Sequence, residues 1–288
     1  MVNNPYFIAE ISSNHSNNIN RALEFIKVSK KIGCNAVKFH FFKIDKLFSP
    51  EIIAQSKKPQ LRKNWELPAE FLPILSSKTR DLGMEFAVTP FDLEAVDILY
   101  PYVDFYKISS YEILWEALIE RCARTNKPLV LSTGMATEDE ISNAVSAFRK
   151  ISTAKLTLLH TISGYPTPIK EANLAAIKTI RDQNLTCVGL SDHSVSPAVL
   201  LRAAHRWQAE VIEFHLDLDG NGEEYTLGHC WLPDEIKFTI ELIKSGFQAD
   251  GSGKKIPMPS EVEDRKWRAD PSDGLRPILE IREKFKSE

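Results

Sequence analysis

Eight short apolar or β-branched runs recur along this chain, and most are followed by a segment of helical period. The runs are FIAEI (7–11), NAVKFHFF (35–42), MEFAVTP (84–90), FYKISS (105–110), PLVLSTG (128–134), LTLLHTIS (156–163), CVGLSDH (187–193) and VIEFHLDL (211–218). Between them NRALEFIKVSKKIG, AEFLPILSSKTRDLG, EALIERCARTN, EDEISNAVSAFRK, ANLAAIKTIRDQ and SPAVLLRAAHRW place apolar residues at helical spacing. Thr137 with Glu140 fits a capping box, and Gly33 and Gly83 fall where the first two of these helices should stop. Strands alternating with helices over short connections predict a single-domain α/β fold, the (β/α)8 TIM barrel. The alternative, a doubly wound open sheet, usually carries a glycine-rich phosphate turn after its first strand, and IAEISSNHS has none. The barrel is predicted over residues 1–247. Residues 248–288, rich in Pro, Gly and charge, are predicted as a C-terminal extension packing on it.

Composition narrows the function classes. With 288 residues, 43% of them hydrophobic, the chain can bury a substantial core. A formal charge of -3 without basic runs argues against nucleic acid and anionic membrane as partners. The N-terminal MVNNPYFIAE lacks the features of a signal peptide, and no apolar stretch approaches the roughly 18 residues of a membrane span. Cys34, Cys122, Cys187 and Cys230 are scattered, which predicts a reduced, cytoplasmic protein.

The predicted strands start apolar and end polar. Their ends carry Glu10, Lys38 and His40, Thr89, Lys107 with Ser109 and Ser110, Ser132 and Thr133, His160 and Ser163, Ser191 and His193, and Glu213 and His215. In a (β/α)8 barrel all strand C-termini converge on one mouth, where active sites lie, so this bias predicts a crowded polar pocket. The eighth run shows it best. Alternation gives it one face of Ile212, Phe214, Leu216 and Leu218 and another of Glu213, His215, Asp217 and Asp219.

Two groupings point to chemistry. Lys38 and Lys107, with hydroxyls at Ser109, Ser110, Ser132, Thr133, Ser163 and Ser191, suit a small phosphorylated, acidic ligand. His193 and His215 end adjacent strands about 4.8 Å apart, so both imidazoles can reach one ion. With Glu213, Asp217, Asp219 or Glu10 nearby, they suit a divalent transition metal with open positions for substrate. His205, in a helical stretch, and His229, in a loop, are not taken as ligands.

FIAEISSNHSNNINRAL, NAVKFHFFKIDKLFS, EFAVTPFD, YKISSYEI, KPLVLSTGMAT, LLHTISGYPTP, GLSDHS and VIEFHLDLD resemble, in order, the motifs of the sialic acid synthase family over about residues 6–268. The resemblance implies a (β/α)8 barrel that condenses phosphoenolpyruvate with an N-acylmannosamine-type aldose to a nine-carbon 2-keto acid, with a Mn²⁺-type metal (Mg²⁺ or Co²⁺ as substitutes) and usually as a homodimer. It implies His193 and His215 as metal ligands. Lys38, Lys107, Ser110, Ser132 and Ser191 match residues that hold phosphoenolpyruvate, Tyr165 matches a tyrosine near the sugar, and Glu10, Glu112 and Glu213 match acidic site residues. The candidate catalytic set is therefore Glu213, Glu10, Lys38 and Glu112, with Glu213 as base for an attacking water. The candidate substrate-binding set is Lys38, His40, Thr89, Lys107, Ser109, Ser110, Ser132, Ser163, Tyr165, Ser191 and Asp219.

The chain also departs from the family. The family's SNYP reads Ser163-Gly164-Tyr165-Pro166, and its KFQ reads Lys38-Phe39-His40. After Asp219 the chain has Gly220 and then GEEYTLGHCW in place of an Arg and a Pro-Gly-Pro-Asp-His run. The family's small antifreeze-like C-terminal domain has no counterpart before Glu288. These changes fall on the sugar half of the site. Rival readings are a 3-deoxy-octulosonate-type synthase acting on another, phosphorylated aldose, a Schiff-base aldolase using Lys38 or Lys107, and a non-catalytic barrel that binds a ligand or partner.

Overall fold

The computed structural model describes residues 4–285. Eight parallel strands run in chain order: β1 (Tyr6–Ser12), β2 (Ala36–Phe41), β3 (Glu85–Pro90), β4 (Phe105–Ile108), β5 (Leu129–Ser132), β6 (Leu156–His160), β7 (Cys187–Asp192) and β8 (Val211–Leu216). β1 pairs with β2 on one edge and with β8 on the other, Tyr6 opposite Val211 and Glu10 opposite His215, so the sheet closes on itself. This is the (β/α)8 barrel.

Strand periodicity explains its interior. Ile8, Ala36, Ala87, Phe105, Val130, Leu159 and Val211 form an apolar cluster of their own, separate from the larger core that holds the helix-facing side chains. Two residues further along each of these strands, and so on the same face, stand Glu10, Lys38, Thr89, Lys107, Ser132, Thr161 and Glu213, all buried. The barrel thus has an apolar floor and a polar layer above it. On β8 the other face, Ile212, Phe214 and Leu216, belongs to the helix-side core.

The helix signals hold locally. Helix Ile19–Ile32 ends on Gly33 at φ 95°, and helix Glu138–Arg149 starts with the Thr137–Glu140 capping box. The helical segments differ from expectation in four places. The β2–β3 connection is long and carries short helices Ile44–Leu47, Pro50–Gln55 and Lys58–Leu61 before helix Leu72–Asp81. SPAVLLRAAHRW gives a short α-helix, Pro197–Leu201, followed by a π-turn at Arg202–Arg206. Helices Leu93–Leu99 and Pro233–Ala249 were not among the predicted segments.

A further two-residue strand, β9 (Cys230–Trp231), pairs with β8 through His215–Cys230 and Leu216–Trp231. The β7–β8 register stops at Asp192–Phe214, so β9 takes over the β8 edge where β7 leaves it. Trp231 is fully buried and donates its Nε1–H to Asp192 Oδ2 at 3.0 Å, which ties β9 to the end of β7.

The chain divides into two compact units, Met1–Ala249 and Asp250–Glu288. In the second, Asp270 accepts the Ser272 and Leu279 N–H groups and Arg282 pairs with Asp273. Among the described residues no helix is long and apolar enough to cross a membrane.

Candidate functional site

A cavity of about 470 Å³ opens where the strands end, within the roughly 300–1,000 Å³ of small-molecule sites. At its base lie four buried ionisable side chains. Glu10 pairs with Lys38, Lys38 Nζ stands 3.4 Å from Glu213 Oε2, and Lys107 Nζ stands 3.4 Å from Glu213 Oε1. Lys38 also donates to Thr89 Oγ1 at 3.4 Å, and Ser191 Oγ donates to Glu213 Oε1 at 2.9 Å. Two cations and two anions make a neutral set, the condition under which charges can be held out of water. Glu213 Oε2 has no hydrogen bond, only its ion pair with Lys38.

The two lysines differ. Burial works against both charges; at Lys38 the adjoining Glu10 and Glu213 outweigh it and raise the pKa, whereas at Lys107 burial prevails and the ammonium falls to about 8. Burial likewise opposes charge on Glu213, but Lys107 and Lys38 hold it at about 2. His40 and Lys38 keep Glu10 well below the ordinary carboxylate range against the same penalty.

Histidines form one wall. His193 places Nδ1 2.8 Å from the Ile162 carbonyl, which can only accept, so that nitrogen carries the proton. Burial, followed by His215, drives His193 down to about 3 and keeps it neutral. Tyr165 lies over it, ring centroids 4.3 Å apart. His215 Nδ1 is 3.1 Å from Glu224 Oε2, and His229 Nε2 is 3.8 Å from the same oxygen. The other Glu224 oxygen accepts from Ser12 Oγ at 2.5 Å and Ser13 Oγ at 2.8 Å.

One donor atom from each of His215, Glu224, His229 and Cys230 lies within 4.8 Å of the others. Imidazole and carboxylate donors at this spacing suit a divalent transition metal. Cys230 is the odd member: burial raises its thiol pKa, and its Sγ is 3.5 Å from Asn14 Nδ2.

Most predicted site residues meet in this cavity. Glu10, Lys38, His40, Lys107, Ser109, Ser110, Glu112, Ser132, Tyr165, Ser191, His193, Glu213 and His215 all line it. Glu112 is raised by burial and accepts from Ser109 Oγ. Three do not line it. Thr89 contacts the site only through Lys38. Ser163 Oγ is buried without a partner, next to Gly134: a Cβ on Gly134 would lie 2.4 Å from it and 2.8 Å from Ser110 Oγ, so only glycine fits there. Asp219 points away, pairing with Arg21 at 2.9 Å with its side chain 46% exposed, because the strand alternation ends at Leu216. His160 is likewise turned aside, onto the Ala172 carbonyl at 2.9 Å.

Sequence reasoning passed over Ser12, Ser13, Thr161, Glu224 and His229, which line the cavity as well. Glu224 and His229 come from the loop between β8 and β9, and β9 pairing carries His229 back beside His215. Asp217, fully buried, anchors that loop by accepting from Arg21 and from the Gly220 and Gly222 N–H groups. A Cβ at Gly222 would fall 2.3 Å from Asp217 Oδ1 and 2.5 Å from Asn14 Oδ1, the oxygen that accepts the Glu224 N–H. The available signal was topological: loops after barrel strands build the mouth, and this one holds a Glu and a His.

Residues 25–255 match the model of the NeuB family. An uncharacterized protein of Methanocaldococcus jannaschii is 37% identical over 262 residues, covering 89% of this chain and 75% of that protein. The N,N'-diacetyllegionaminic acid synthase of Legionella pneumophila is 31% identical over 274 residues, covering 89% and 76%. Among solved structures, the N-acetylneuraminic acid synthetase of Leptospira borgpetersenii superposes with a TM-score of 0.80 at 30% identity, over 94% of this chain and 93% of that one.

Proposed function

The chain belongs to the NeuB family, and on that premise we propose that it condenses phosphoenolpyruvate with an open-chain N-acylmannosamine-like aldose. The products are a 2-keto-3-deoxy nonulosonate and phosphate. The observation that carries this reading is the buried Lys38–Glu10–Glu213–Lys107 set at the base of a cavity walled by His193 and His215. Its relatives include synthases of legionaminic and N-acetylneuraminic acid.

Lys38 and Lys107 bind the phosphate and carboxylate of phosphoenolpyruvate, with Ser110, Ser132 and Ser191 completing the hydrogen bonding. That places C3 against the aldehyde carbon and replaces a bimolecular encounter with a positioned one. His193 and His215 would hold a divalent ion, Mn²⁺ before Mg²⁺ or Co²⁺, which when bound supplies Lewis-acid polarisation of a carbonyl oxygen. C3 forms the new C–C bond with the C2–C3 π pair as the aldehyde π pair moves to its oxygen to give an alkoxide, and C2 becomes oxocarbenium-like. Glu10 and Glu213 favour that cation electrostatically. Water then adds to C2 and gives one proton to Glu213, from which it reaches the sugar alkoxide, and the tetrahedral intermediate collapses to the ketone as its C2 hydroxyl proton leaves with the expelled phosphate. A carboxylate held at about 2 is a weak base. The incoming anion occupies both lysines, which releases Glu213 and raises its basicity when it is needed.

Phosphate release from phosphoenolpyruvate, measured with Mn²⁺ over a panel of aldoses, tests this. Turnover is expected with N-acylated mannosamines and absent with arabinose 5-phosphate. Chelator-stripped protein should fall to background and recover on adding Mn²⁺. Turnover confined to arabinose 5-phosphate, or none with any aldose, would refute the proposal.

Lys107 adds a pH dependence. Its charged form binds the substrate anion, and that charge is lost as pH rises through about 8. The kcat/KM for phosphoenolpyruvate should therefore fall on the alkaline side with an apparent pKa near 8. Lys107→Met should be weaker throughout and lack that limb. An unchanged alkaline limb in the variant would assign it to another group.

A further inference from the structure

Three imidazoles in the cavity share one pattern. His193 has Nδ1 on the Ile162 carbonyl at 2.8 Å, and His215 has Nδ1 on Glu224 Oε2 at 3.1 Å. His229 faces the same Glu224 oxygen with Nε2 at 3.8 Å, while its Nδ1 is buried without any partner. In His193 and His215 one nitrogen meets an acceptor within hydrogen-bond distance and so carries the proton, and at His229 the carboxylate 3.8 Å away favours the proton on Nε2 electrostatically; in each case the lone pair is left on the other nitrogen. Metal-ligating histidines are held in this way, the second N–H given to a carboxylate or a backbone carbonyl.

The spacing agrees. With a metal–nitrogen distance of about 2.1 Å, a ligating ring has its centroid roughly 3.2 Å from the ion, so two rings on one ion lie up to about 6.5 Å apart. The three pairs are at 5.2 Å (His193–His215), 4.6 Å (His215–His229) and 6.1 Å (His193–His229). Glu224 is itself fixed, since Ser12 and Ser13 both donate to its Oε1 and leave Oε2 to the two histidines. The buried, unpartnered Nδ1 of His229 carries a desolvation penalty; an ion in front of it removes that penalty.

We propose that His229 is a third protein ligand of the divalent metal, beside His193 and His215, and that Glu224 is the positioning carboxylate that sets the proton on both His215 and His229. This rests on the reading of the site as a metal site. Three imidazoles favour a later transition ion such as Co²⁺ over Mg²⁺, which prefers oxygen, with Mn²⁺ between them.

The test uses the chelator-stripped full chain titrated with Mn²⁺ alone, and with Co²⁺ for its visible spectrum, without substrates. His229→Gln should raise the Mn²⁺ Kd at least about tenfold and alter the Co²⁺ bands, and Glu224→Gln should weaken binding by about 10–100-fold. Added imidazole should restore Mn²⁺ affinity to His229→Gly. Pulsed electron paramagnetic resonance of the wild-type Mn²⁺ complex, which needs no variant to fold, should count three coordinated imidazole nitrogens. A count of two, or a His229→Gln Kd within twofold of wild type, overturns the proposal and leaves the two-histidine site intact. No Mn²⁺ binding by the wild-type chain overturns the metal reading itself.

Discussion

Lys38→Met should lower the melting temperature by about 6–10 °C, because removing one partner of a buried ion pair costs about 3–5 kcal/mol and a chain of this size shifts roughly 2 °C per kcal/mol. Lys38 is 2% exposed and lies between Glu10 and Glu213. Without it, two carboxylates share only Lys107, whose ammonium pKa is lowered by burial to about 8. The double variant Lys38→Met/Glu10→Gln restores neutrality and should recover at least half of the loss. Calorimetry checks both. A single variant melting within about 2 °C of wild type would mean that water or rearrangement relieves the unpaired charge, contrary to a closed set of four charges.

Glu213→Gln should reduce kcat by about 10²–10⁴-fold, the usual contribution of a positioned general base, while leaving the KM for phosphoenolpyruvate within about threefold. The split follows from geometry. Glu213 Oε2 is the one oxygen of the set with no hydrogen bond, and Gln keeps the shape while losing the ability to take a proton. Removing this carboxylate also frees both lysines for the substrate anion, so binding should not suffer. Steady-state kinetics with saturating Mn²⁺ gives both constants. A kcat within tenfold of wild type would reduce Glu213 to an electrostatic partner of the lysines and move the base elsewhere, with Glu112 the next candidate at the cavity wall.

Much of this arrangement was legible in the chain, and the reason is local. A strand of period two must send Glu10, Lys38, Lys107 and Glu213 to the same face as Ile8, Ala36, Phe105 and Val211. An observer of the pattern alone can therefore place a polar layer on an apolar floor. The pattern stops being informative where the strand stops. Asp217 and Asp219 continue the alternation of Glu213 and His215 on paper, yet β8 ends at Leu216, and both aspartates turn to Arg21. His160 and Ser163 misled for a similar reason: the inward position at the end of β6 is Thr161, two residues beyond Leu159.

Backbone periodicity in the sequence by itself determined the eight strand and helix alternations and the strand-borne half of the site, because each depends on neighbours one to four residues apart. Tertiary structure alone decided which loop residues complete the histidine wall. Glu224 and His229 reach His215 only because Asp217 is clamped by Arg21, 196 residues away, and because Cys230 and Trp231 pair with β8 beyond the end of β7. No local propensity encodes a contact across that separation. The carboxylate beside the histidines is therefore Glu224, supplied by a returning loop, and not one of the aspartates that follow His215 in the chain.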